Sequence, residues 1–106
     1  MAVVTDEIIS TIAGRVVEAI HPEKIILFGS RAWGKADESS DIDLFVVVAD
    51  SDLPSYRRSV PVYRALRGIG FPVDVVVQTR EEVNQSRNVR SSLAWRVMEE
   101  GRVVYG

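Results

Sequence analysis

Three short runs of apolar, mostly β-branched residues set the frame of this chain: Lys24-Ile25-Ile26-Leu27-Phe28, Asp41–Val48 and Val73–Val77. Each is bounded by turn residues and predicts a strand. Helical spacing fills the intervals between them. Ile8, Ile12, Val16 and Ile20 recur every four residues behind Thr5-Asp6-Glu7, a capping hydroxyl followed by first-turn acids. That predicts an amphipathic helix to about Ala19, stopped by Pro22, with His21 as a cap or surface residue. Val60, Tyr63, Leu66 and Ile69 predict a second helix starting near Ser59, because Pro61 is tolerated only in a first turn. Gly68 and Gly70 end it. Thr79 and Glu82 have capping-box spacing and open a third helix. A last helix is expected over Val89–Glu100, closed by Gly101, with a short strand at Arg102–Tyr105. Gly29-Ser30 predicts a tight turn and a short helix over Arg31–Gly34, followed by a loop at Lys35–Ser40. This order of elements predicts an α/β (α+β) fold, a small mixed sheet of three to four strands flanked by helices, in one domain over residues 1–106.

Composition narrows the functions open to such a fold. A net charge of -2 in 106 residues argues against a basic protein that grips nucleic acid backbones, so any polyanion must be bound at a local site. The absence of cysteine removes disulfides, thiolate nucleophiles and cysteine zinc sites. Apolar runs fall far short of the ~20 residues of a membrane span, and no secretion signal opens the chain. A cytoplasmic location without membrane contact is the expectation.

The polar residues within the strand-like runs carry the chemistry. Asp41 and Asp43, two apart on a strand, point to one face about 6–7 Å apart along the backbone. Two ionised carboxylates so placed repel unless a cation lies between them, and a hard divalent ion such as Mg²⁺ suits oxygen ligands. The plainer reading makes them solvated turn residues. Asp74 interrupts Val73–Val77, where an unpartnered carboxylate is costly to desolvate. An arginine salt bridge or a metal shared with Asp41 and Asp43 would compensate it. Gly29-Ser30, after a buried strand, offers backbone N–H groups and a hydroxyl at a helix start, where a phosphate is well held. Alone it is an ordinary tight turn; eleven residues ahead of the paired aspartates it suggests phosphoryl chemistry.

Gly29-Ser30-Arg31-Ala32-Trp33-Gly34, followed by Ser40-Asp41-Ile42-Asp43-Leu44, resembles the signature of the DNA polymerase β-like nucleotidyltransferase superfamily. The chain is most similar in pattern to the minimal nucleotidyltransferases of bacteria and archaea, and the resemblance covers most of its length. It implies that Asp41 and Asp43 ligate two magnesium ions and that Asp74 completes the site of the metal that activates the incoming hydroxyl. Gly29, Ser30 and Arg31 would hold the triphosphate of ATP. The implied reaction is in-line attack on the α-phosphorus with release of pyrophosphate. Trp33 stands where the family often has arginine, and no catalytic role is carried onto it.

Some members of that group are antitoxins paired with a helical HEPN-class toxin, and transfer AMP to a tyrosine hydroxyl on it. The resemblance therefore implies a protein acceptor and a toxin partner. Two other readings stand beside it: a non-catalytic module that neutralises a partner by contact, and a transferase acting on a small molecule or RNA end. Net charge argues against nucleic acid, and the Arg57, Arg58, Arg64, Arg67 cluster reads as a solvated helix face. Leu93, Trp95, Val97 and Met98 could serve the protein's own core or bury against a second copy or partner.

Overall fold

The computed structural model describes residues 4–32 and 41–106. The first helix, α1, spans Asp6–Ile20, and the Thr5 side chain accepts the Ile8 N–H at its start. His21 closes it in the left-handed region at φ 46°, its N–H donating to the Val17 carbonyl, and buried Pro22 turns the chain away. Histidine is among the few non-glycine residues that take this conformation readily.

Strands β1 (Lys24–Phe28), β2 (Ile42–Val48), β3 (Val73–Thr79) and β4 (Arg102–Tyr105) form one mixed sheet in the order β3-β2-β1-β4. β1 is antiparallel to β2 and β4, whereas β2 and β3 are parallel. β2 is buried along its length except at Asp43. A strand covered on both faces reads as a continuous apolar run, which is what Leu44–Val48 supplies. The strand begins at Ile42, so Asp41 lies just ahead of it and not within it as expected.

A parallel pair needs a crossover. Here it is a 3-10 turn at Ser55–Arg57 and helix α2 (Val60–Ala65), with Pro61 in the first turn. Gly68 and Gly70, both at positive φ, carry the chain back to β3. Arg15 of α1 donates to the carbonyls of Ala65 and Arg67 and closes the end of α2. Alternation along the strands sends Ile42, Leu44, Val46, Val75 and Val77 towards α1 and α2. Phe45 and Val47 pack on the other face against Val83, Ala94 and Val97. Those three belong to helices α3 (Arg80–Ser86) and α4 (Leu93–Glu100).

Two expectations need correction. The last helix starts at Leu93 and not Val89, because Ser92 caps the Trp95 N–H while exposed Val89 has no core to enter. Gly101 caps that helix as expected, at φ -76°, and there is no room for a side chain on it: a Cβ would lie 2.5 Å from both Ile26 Cγ2 and the Val97 carbonyl oxygen. The segment after Gly29 is, as far as Ala32, a turn closed by Ala32 N–H to the Gly29 carbonyl at 3.0 Å. Trp33, Gly34 and the loop at 35–40 lie outside the described residues. Of the apolar residues on α4, Val97 and Met98 pack into the protein's own core, while Trp95 is half-buried with the Arg90 guanidinium 6.0 Å from its ring centre.

Candidate active site

The end of β1 and the starts of β2 and β3 meet at one margin of the sheet. Phe28 lies opposite Asp43, and Asp43 lies opposite Asp74. Neighbouring strands are about 4.8 Å apart, so the two carboxylates share one face at close range. This is the face covered by α3 and α4, but those helices sit over Ile26, Phe45 and Val47 and leave the margin open. Asp43 is half-buried there; Asp41 and Asp74 are exposed.

The acids raise one another. Desolvation holds the Asp43 carboxyl above its ordinary value, and the charges of Asp74 and Asp41 add to it. Phe28, set opposite Asp43 and packed edge-on against Phe45, supplies apolar surroundings. Asp74 is raised by loss of hydration, then by a hydrogen bond with Asp41 and by its charge. Among the described residues no arginine forms a salt bridge with Asp74, and what perturbs it is its own lost hydration and Asp41. Exposure of Asp74 at the strand's start also shows that it is less buried than its apolar neighbours suggested.

Gly29 completes the arrangement. It is buried at φ +76°, and a Cβ on it would lie 2.2 Å from Asp43 Oδ2. Only glycine allows both this backbone conformation and the close approach of that carboxylate. Ser30 follows, half-buried in the turn. Arg31 lines a cavity of about 210 Å³ with Thr5, Asp6, Leu27 and Arg102, which the three acids do not enter. A cavity of about 330 Å³ bounded by Lys24, Val47, Arg80 and Met98 lies at the opposite end of the sheet.

Among the described residues no three acidic or histidine side chains converge as a ready-made metal site. The donor set nonetheless suits a hard divalent cation, since crowded carboxylates are relieved by positive charge and offer only oxygen. Sequence reasoning missed Phe28, whose position against Asp43 depends on register. It also missed the Tyr63 hydroxyl, which accepts the Val75 N–H at 2.9 Å beside Asp74. Neither carries a local signal.

Residues 10–106 match the polymerase beta nucleotidyltransferase family. The chain is 37% identical over 83 residues to the protein named "Putative protein adenylyltransferase MJ0604" of Methanocaldococcus jannaschii, which covers 78% of each. Its structure is similar to that of a putative nucleotidyltransferase from Sulfolobus solfataricus, with TM-score 0.60 and 28% identity, covering 76% of this chain and 71% of the other. It also resembles a chain in a crystal structure of a toxin-antitoxin with AMP-PNP, with TM-score 0.66 and 24% identity over 97% of this chain and 74% of the other. At that identity the likeness is one of fold. Among the described residues no helix is long and apolar enough to cross a membrane.

Proposed function

The chain belongs to the polymerase beta nucleotidyltransferase family, and on that premise we propose that it transfers AMP from ATP to a hydroxyl on a protein. The observation that carries this reading is the gathering of Asp41, Asp43 and Asp74 beside the Gly29 turn. Asp41, Asp43 and Asp74 would hold two magnesium ions, which supply charge neutralisation on the phosphates and a more acidic acceptor hydroxyl. Gly29 and Ser30 lie where backbone N–H groups and a hydroxyl can receive phosphate oxygens. Asp74 would take the acceptor's proton as the acceptor oxygen bonds to the α-phosphorus and the bond to pyrophosphate breaks. Loss of hydration and the neighbouring Asp41 hold its carboxyl above the ordinary value, which makes the carboxylate a stronger base.

The acceptor is proposed to be a partner toxin, of the helical HEPN class implied by the sequence. The adenylyltransferase-named relative supports the chemistry, and the fold shared with a toxin-antitoxin chain supports the setting. The single-domain form and cytoplasmic location belong to the same proposal.

The test uses α-labelled ATP, magnesium, the purified chain and the protein encoded beside it, with Asp41→Asn as control. Label on the neighbour that vanishes in the variant is the expected result. Magnesium-dependent ATP binding without label would move the acceptor elsewhere; absence of binding as well would leave neutralisation by contact.

A further inference from the structure

β3 is an outer strand of the sheet, and an outer strand presents main-chain groups with no strand to pair them. The hydrogen bonds show which ones. The Pro72 carbonyl accepts the Ile42 N–H, so the even-numbered residues turn towards β2. The Val75 N–H donates outward to the Tyr63 hydroxyl at 2.9 Å, and the Thr79 N–H donates to Glu82 Oε1 at 2.8 Å. Val77 lies between these two capped amides, and by alternation both its N–H and its C=O face the open edge. A cleft of about 310 Å³ runs along this edge, walled by Ser55, Tyr56, Arg58 and Ser59. Gln78, also in its lining, has a buried Oε1 with no hydrogen-bond partner among the described residues. An acceptor of this kind calls for a donor.

The cleft also lies close to the proposed chemistry. Val76 lines it, two residues and about 7 Å along the strand from Asp74. Arg57 borders it, between the lining residues Tyr56 and Arg58, in a chain of net charge -2. Arg58 is held by Glu82, whereas Arg57 is exposed. Tyr56 is 80% exposed.

We propose that this cleft docks an extended, acidic segment of the acceptor polypeptide, whose main chain pairs with Val77 and so brings a hydroxyl to Asp74. The inference rests on the transferase reading. A strand laid antiparallel exchanges both an N–H and a C=O bond with a single opposing residue, which is what Val77 offers. Tyr63 and Glu82 fence the site on either side, so a short segment pairs while long edge-to-edge association is blocked. A nucleic acid strand would satisfy the arginines and leave Val77 unmatched.

The test measures binding directly, by fluorescence anisotropy, without requiring transfer. The probes are a short acidic peptide with a central tyrosine, its backbone N-methylated form, a basic counterpart and an oligouridylate. The acidic peptide is expected to bind, with N-methylation and Arg57→Glu each weakening it by about tenfold. Gln78→Leu weakens it as well, and magnesium-dependent ATP binding stays intact in these variants. Equal binding of acidic and basic or N-methylated peptides, no peptide binding, or tighter binding of the oligouridylate would overturn the proposal. Peptide binding without any AMP transfer would instead remove the transferase reading.

Discussion

β3 has acids at both ends, and the two ends treat them in opposite ways. At its start Asp74 faces Asp43 and shares a hydrogen bond with Asp41, and desolvation and charge both favour the neutral form. Just past its finish Glu82 of α3 receives the Thr79 N–H, the Arg58 guanidinium and the Thr79 hydroxyl, and is held below the ordinary carboxylate value by these partners in that order. Nearby, the exposed Glu23 is paired with Arg80 and is lowered too, first by that hydrogen bond. A chain that matches its acids with donors at one end of a strand and crowds them at the other separates folding from function. The matched end stabilises the fold; the crowded end is the one that the proposed cation would complete.

The largest effect that would sharpen this contrast is Asp43→Asn. Loss of metal-borne charge stabilisation worth several kcal/mol predicts about a thousandfold loss of AMP transfer. Because the repulsion is relieved, the Tm in chelator should hold or rise. A sharp fall in Tm would make the acids structural and break the comparison. Gly29→Ala comes next: the left-handed conformation costs about 1–2 kcal/mol, and the new methyl displaces Asp43. Denaturant unfolding and an ATP isotherm should both deteriorate; unchanged ATP binding would dissociate the glycine from the carboxylate site.

At the matched end Thr79→Ala should cost about 1 kcal/mol through loss of the cap, with transfer to the acceptor unchanged. Glu82→Gln reports the same region through pH. The folded-state carboxyl is lowered from 4.5, so its contribution is fully present above that value and lost as pH falls through the lower folded-state value. Wild type and variant should therefore differ in Tm at neutral pH and converge in acid. A gap that persists in acid would mean that shape, not charge, holds the junction. The smallest effect is expected for Arg80→Ala, since an exposed ion pair often contributes nothing measurable to unfolding.

Much of this was legible before any coordinates. The caps at Thr5 and Thr79, the stop at His21-Pro22 and the strand runs are local signals, and local hydrogen bonding realises them. The final helix was less legible. Val89 and Leu93 continue the apolar spacing, but Ser92 offers a cap and Val89 no burial, so the turn wins. Gly101 closes the last helix as its sequence position suggests, whereas its need for space arises from Ile26 on a strand distant in sequence. The acids stood out in the sequence through their spacing; the hydrogen bond between Asp41 and Asp74 did not.

Residue type and order were sufficient for the kinds of element, their succession and the choice of Asp41, Asp43, Asp74 and Gly29 as the residues to watch, since propensity, periodicity and capping act over a few residues. Strand order and register needed the assembled sheet. They set Asp43 between Phe28 and Asp74 and leave β3 at the outside of the sheet. Pairing between strands far apart in the chain is chosen by which faces can be buried together, and no short window of sequence contains that information.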